Sequence, residues 1–186
     1  AFLPMLMKAR EAHIVNTSSV NGFWASLGPG RPHTAYCAAK FAVKGFTEAL
    51  MTDLAVNAPH IKCSVVMPGH IGTDIVINSR KILSGDGIDV PAVRKAMAAQ
   101  GVNLVAMSDD QVRAMVQAQA EGFRDNAPTT AAQAAKIILD GVRAGNWRIL
   151  VGKDAEFLDK SVRAAPEDAY SQGFFDALVK QAQWRI

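Results

Sequence analysis

The chain has 186 residues, of which 49% are hydrophobic and 20% charged, and carries a formal net charge of +3 at pH 7. This composition excludes a disordered chain, and the small positive excess, with no Lys/Arg run to concentrate it, excludes a nucleic-acid footprint. No apolar run is long enough to span a bilayer, and the two cysteines, Cys37 and Cys63, form no C-x-x-C and no Cys/His cluster at zinc spacing, which points to a reducing, cytoplasmic compartment without structural metal.

Residues 1–10, AFLPMLMKAR, lack an initiator methionine and the basic start and cleavage site of a signal peptide. They read as the last turns of an amphipathic helix, so the sequence is expected to begin inside an element of a longer protein. His13-Ile14-Val15-Asn16-Thr17 is short and rich in β-branched residues, which predicts a buried strand ended by Ser18 and Ser19. Residues 20–33 hold Gly22, Gly28, Pro29, Gly30 and Pro32, the chemistry of a loop. Trp24 and Leu27 are expected to tuck under that loop as packing.

Thr34 is a fair N-cap for a long helix over 35–56, which Asn57-Ala58-Pro59 stops. Its apolar residues, among them Phe41, Val43, Phe46, Leu50 and Leu54, form a stripe wider than one buried face needs. The expectation is burial on two sides, against a sheet and against another subunit. A second strand follows over 61–67. Strand, helix and strand at this spacing make a βαβ unit, with parallel strands and a right-handed crossover. Ligands bind such sheets at the carboxyl ends of the strands, which singles out Ser18/Ser19 and the stretch Pro68-Gly69-His70-Ile71-Gly72-Thr73.

Residues 74–126 form a long excursion, with a turn at Ser84-Gly85-Asp86-Gly87 and helices over 90–100 and 109–123. Thr129/Thr130 caps a helix over 131–144, a third strand covers 147–151, and the tail reads as helical and amphipathic. The fold class is α/β, a doubly wound parallel sheet of Rossmann type, in one domain with a lid at about 74–126.

Tyr36 and Lys40 stand four apart at the head of the long helix, hence on one face. A free phenol is a weak base at neutral pH, and a neighbouring ammonium favours the phenolate. The spacing alone is common, and a lysine snorkelling beside a tyrosine explains it equally well. The surrounding motifs add weight. Asn16-Thr17-Ser18-Ser19-Val20-Asn21-Gly22, Tyr36-Cys37-Ala38-Ala39-Lys40 and Val66-Met67-Pro68-Gly69-His70-Ile71-Gly72-Thr73, in this order and topology, resemble the serine strand end, the Tyr/Lys helix and the Pro-Gly-x-x-x-Thr loop of the short-chain dehydrogenase/reductase family.

The resemblance implies hydride transfer between NAD or NADP and a carbinol or carbonyl carbon. Tyr36 would be the general acid/base, Lys40 would assist it and bind the ribose hydroxyls, and Ser19 would hydrogen-bond the substrate oxygen. Pro68, Gly69, Ile71 and Thr73 would hold the carboxamide, with Tyr36 and Lys40 completing the cofactor contacts. The family's serine stands three residues before a glycine, which selects Ser19, before Gly22. Ser19 and Tyr36 are seventeen residues apart, a few more than the family pattern, and the glycine/proline loop accounts for the insertion.

Two family features are missing: the glycine-rich dinucleotide fingerprint, and the Asn-Asn-Ala-Gly segment with the helix asparagine. Both would precede residue 1, so the chain reads as the C-terminal half of such an enzyme, with its first strand left as an unpaired edge. NAD and NADP are not distinguished, because that choice rests on a residue in the other half.

Other residues carry plainer expectations. His33 and His70 read as exposed loop histidines, Cys37 as a small buried residue, Arg80 and Lys81 as surface charges, and Asn16 as a brace for the strand end. The apolar residues of the excursion, Met97, Leu104, Val105, Met107, Met115, Val116 and Phe123, either line a pocket for a bulky alcohol or ketone or pack within the lid. The leading function is an NAD(P)-dependent oxidoreductase acting on a hydrophobic secondary alcohol or ketone, a homodimer or homotetramer through the long helix. The alternatives are a non-catalytic dimeric scaffold and a nucleotide-sugar epimerase or dehydratase using the same Tyr/Lys pair. The last would want an Arg/Lys clamp for a diphosphate, of which the excursion offers little.

Overall fold

A computed structural model describes residues 2–29, 31, 33–85, 87–182 and 184. Ala1, Gly30, Pro32 and Asp86, on which some of the expectations above fall, lie outside the described residues. In chain order the elements are α1 (Leu3–Lys8), β1 (Ala12–Thr17), α2 (Thr34–Asn57), β2 (Ile61–Pro68), β3 (Ile71–Gly72), α3 (Ile75–Ser84), α4 (Val90–Ala99), α5 (Asp109–Asp125), β4 (Thr129–Thr130), α6 (Ala131–Arg143), β5 (Arg148–Val151), α7 (Lys153–Ala164) and α8 (Gln172–Ala182). They fall into two units, residues 72–127 and the remainder.

In the larger unit β1, β2 and β5 form a parallel sheet in the order β1-β2-β5. β1 and β2 pair from Ala12 opposite Ile61 to Thr17 opposite Val66, and β5 pairs the other side of β2 from Val65 opposite Arg148 to Pro68 opposite Val151. β2 is central and buried along most of its length, which is why its sequence is a nearly continuous apolar run rather than an alternating one. Lys62 is exposed, whereas the other polar residue, Ser64, is fully buried and satisfied from both sides. The Ser64 hydroxyl donates to the Asn146 carbonyl at 2.6 Å and lies 2.7 Å from His13 Nε2. Burial, with Lys62 nearby, pushes the His13 imidazole below its usual range.

The long helix is present, but Thr34 is its first residue; His33 occupies the cap position and makes no side-chain cap bond. α2 buries Cys37, Thr47 and Leu54. On the side expected to meet another subunit, Phe41 is 43% and Phe46 63% exposed in the single chain. Asn16 braces the strand as expected, donating through Nδ2 to Thr47 Oγ1 at 2.9 Å, while the Thr47 hydroxyl donates to the Val43 carbonyl at 2.7 Å.

The loop after β1 is held by the tail. Trp24 is 1% exposed and donates from Nε1 to the Ala169 carbonyl at 2.7 Å, within a cluster that includes Val20, Leu158, Leu178 and Trp184. Gly28 adopts φ +117°, and a Cβ there would stand 2.4 Å from the Phe175 ring. Only glycine meets both the conformation and the space.

In residues 72–127, α4 and α5 form where the sequence places them, and α5 opens on a capping box of Ser108 and Gln111. α3 has no counterpart among the sequence-based expectations. Val90, Leu104 and Val112 form a core with Met97, Met107 and Met115 around it. These methionines and Leu104 therefore pack within the unit. Arg94 pins the α4–α5 connection through the Leu104 carbonyl, the Met107 carbonyl at 2.7 Å and Asp109 at 3.0 Å. Arg80, expected as a surface charge, is half-buried and donates to the Val116 carbonyl at 3.3 Å.

Candidate active site

The carboxyl end of β1 is the centre of the site. Ser18 carries the sheet one step past the strand, its N–H donating to the Val66 carbonyl at 2.8 Å. Its side chain is committed to α2, because Oγ donates to the Lys40 carbonyl at 2.8 Å in a residue only 2% exposed. Gly22 makes this contact feasible, since a Cβ there would lie 2.3 Å from Ser18 Oγ and 2.9 Å from the Lys40 carbonyl oxygen.

Ser19 behaves differently. It starts a short 3₁₀ turn, Val20–Gly22, and its Oγ accepts the Asn21 N–H at 3.1 Å. An accepting hydroxyl keeps its own proton to donate elsewhere. Asn21 is itself buried, and its Nδ2 donates to the carbonyls of Trp24 at 2.9 Å and Ser26 at 2.6 Å, closing the loop on itself.

Tyr36 and Lys40 lie on one face of α2. The Lys40 ammonium is 5.5 Å from the Tyr36 ring centroid and donates to the Thr17 carbonyl, the last of β1, at 3.1 Å. An ammonium has three donors, and Thr17 uses one. Tyr36 is 37% exposed, and its ring stacks on exposed His33 with centroids 4.6 Å apart. Cys37 is buried, and burial pushes its thiol upward, away from the thiolate a nucleophile needs.

The second stretch begins where β2 ends. Gly69 N–H donates to the Val151 carbonyl at 3.0 Å. His70 N–H donates to Asp154 Oδ2 at 2.6 Å. His70 is fully buried, a correction to the exposed histidine expected from a Pro-Gly loop. The physical reason is Asp154, in the first turn of α7, which draws the loop inward. Burial pushes the Asp154 carboxyl up, against the backbone N–H groups and His70, which pull it down. Thr73 does not cap α3; Asp74 holds that position, without a side-chain cap bond.

The contact between Asp154 and the turn after β2 is one that sequence reasoning does not find. The local signal of Asp154 is an acidic residue in the first turn of a helix, which the helix dipole favours anywhere, and nothing nearby in sequence shows which loop it meets 84 residues away. A cavity of about 540 Å³, walled by Ala25, His33, Cys37 and Phe41 among others, does not have Ser19, Tyr36 or Lys40 on its wall. Among the described residues there is no group of three or more His, Cys, Asp or Glu able to hold a metal ion, and no helix long and apolar enough to cross a membrane.

A parallel sheet with these groups past one strand and a Pro-Gly turn past the next defines an α/β protein of Rossmann type. Residues 1–83 match the family model described as short chain dehydrogenase. SadH of Mycobacterium tuberculosis, an oxidoreductase by name, is 37% identical over 164 residues, covering 88% of this chain and 48% of SadH. The 3-oxoacyl-[acyl-carrier-protein] reductase FabG of Haemophilus influenzae is 37% identical over 113 residues, 59% of this chain and 44% of that protein. A short-chain dehydrogenase/reductase of Burkholderia phymatum, crystallised in complex with NAD, superposes with a TM-score of 0.57 at 26% identity, covering 90% of this chain and 51% of its own. The family model, the relatives and the solved structure together support membership of the short-chain dehydrogenase/reductase family. The chain spans about half the length of SadH and of FabG.

Proposed function

We propose that the protein is an NAD(P)-dependent oxidoreductase interconverting a hydrophobic secondary alcohol and its ketone. The carrying observation is the Lys40 ammonium, held between the Tyr36 ring and the last carbonyl of β1. The donor set suits a dinucleotide: after the Thr17 bond, Lys40 retains donors for ribose hydroxyls, and Tyr36 is open enough to meet a substrate. The nicotinamide, when bound, supplies or accepts the hydride.

The chain's own residues handle the proton and the orientation. Ser19, with a lone pair engaged by Asn21 N–H, points its proton at the substrate oxygen and holds it. Tyr36 gives that oxygen a proton in reduction and takes one in oxidation. Lys40 supports the charged form of Tyr36 and grips the ribose. Pro68, Gly69, Ile71 and Thr73 form the loop that receives the carboxamide. Among relatives, FabG and a 3-ketodihydrosphingosine reductase of Bacteroides thetaiotaomicron, 42% identical over 79 residues (42% of this chain, 27% of that protein), are by name reductases of 3-keto compounds. This supports a ketone as substrate. The free, buried cysteines support a reducing, cytoplasmic setting, and the open face of α2 supports a homodimer or homotetramer.

Replacing Tyr36 by Phe in the full-length protein is expected to lower kcat by about 10²–10⁴-fold, the scale of a lost general acid/base, with NADH or NADPH affinity within about threefold. Turnover preserved in Tyr36→Phe would refute the assignment. Failure of the unmodified protein to bind either nucleotide would favour the scaffold reading.

A further inference from the structure

We infer that Asp154 is a positioning residue for the nicotinamide loop, setting the backbone of Gly69 and His70 and through them the placement of Ile71. The inference rests on the reading of residues 68–73 as the carboxamide loop.

Three observations converge on this one side chain. First, Asp154 is fully buried and accepts the His70 N–H at 2.6 Å. Its Oδ1 is buried with no hydrogen-bond partner among the described residues, so the bonds made by Oδ2 carry the cost of burying the group. Second, the loop is shaped to admit it. A Cβ on Gly69 would lie 2.2 Å from Oδ2, 2.4 Å from Cγ and 2.4 Å from Oδ1. Third, the other side is shaped to admit it too. Gly152 takes φ +106°, and a Cβ there would lie 2.4 Å from Oδ1 and 2.9 Å from Thr129 Oγ1. Two glycines, one past β2 and one past β5, thus make room for a single carboxylate.

A helix start needs none of this. The carboxyl also meets the N–H groups of Asp154 and Ala155 in the first turn of α7, but an exposed Ser, Thr or Asp serves a helix start adequately. What the buried carboxylate does beyond the helix is fix the donor of His70, the residue immediately before Ile71. The Gly69 N–H bond to the Val151 carbonyl at 3.0 Å holds the same turn from its other end. Loop position is therefore set jointly by β5 and by the first turn of α7.

The test compares NADH with ADP-ribose, which lacks the nicotinamide, by titration of the full-length protein carrying Asp154→Ala, Asp154→Asn or Thr73→Ala. Asp154→Ala is expected to weaken NADH binding by about tenfold, the scale of one lost charge-assisted bond, and to leave ADP-ribose binding within about twofold. Asp154→Asn, which retains an oxygen for the His70 N–H, is expected to restore NADH binding to within about threefold. Should Asp154→Ala not fold, Asp154→Ser takes its place with the same expectation. Equal weakening of both ligands would reduce Asp154 to a general structural role and overturn the inference. If Thr73→Ala loosens NADH selectively and Asp154→Ala does not, the loop reading stands and Asp154 has no part in it. If neither substitution separates NADH from ADP-ribose, the loop reading itself fails.

Discussion

Ser18 and Ser19 are adjacent and buried, yet their hydroxyls are used in opposite senses. Ser18 spends its proton on the Lys40 carbonyl, whereas Ser19 accepts from Asn21 N–H. Ser18→Ala removes the second donor on the Lys40 carbonyl, which keeps its place in the ladder of α2, a cost of about 0.5–1.5 kcal/mol, or a fall in Tm of roughly 1–6 °C for a protein of this size. Its kcat is expected to stay within a few-fold. Ser19→Ala is expected to lower kcat by about 10²-fold, as loss of one oxygen-stabilising donor does, with Tm nearly unchanged. Calorimetry and steady-state kinetics on the two variants decide it, and a larger kcat loss in Ser18→Ala would exchange the two roles. The position before Gly22 selects Ser19, but the reason for that glycine emerges only from its closeness to Ser18 Oγ and the Lys40 carbonyl.

Among the elements, the loop from Ser19 to His33 depends on the tail. Gly28→Ala would force a side chain into a positive φ, costing about 1–2 kcal/mol, and drive it into Phe175, costing about 1–3 kcal/mol more. The expected result is a Tm lower by roughly 5–15 °C together with a lower kcat, because Trp24, Asn21 and Ser19 share that loop. A Tm equal to the wild type would mean the tail does not hold the loop. β1, α2 and β2 are legible in the sequence because their signals are local: a short β-branched run, a long apolar stripe stopped by Asn57-Ala58-Pro59, and a nearly continuous buried strand. Tyr36, Lys40 and Ser19 can be picked out as candidates because they lie within or beside one βαβ unit. α3 is not legible, because it starts on the β-branched run Ile75-Val76-Ile77 and has no side-chain cap bond to mark its start. The buried state of His70 and the role of Asp154 are hidden because their contact joins two distant connections, and sequence spacing carries no trace of it.

For the whole molecule, the exposed Phe41 and Phe46 on α2 are the kind of apolar surface that a partner covers. Light scattering on the full-length protein is expected to give a dimer or tetramer, and Phe46→Glu is expected to shift it toward monomer; a monomeric wild type would contradict this. The carboxylate between Gly69 and Gly152 has a consequence for how such a fold can be altered. The turn after β2 and the turn after β5 are sterically coupled, because neither glycine can gain a side chain while Asp154 stays where it is. A loop graft that carries residues 68–73 into another scaffold without the Gly152-Lys153-Asp154 turn would import a hole beneath His70, and the reverse graft would import a buried charge without its donor. Exchange between relatives is therefore viable only when both turns travel together.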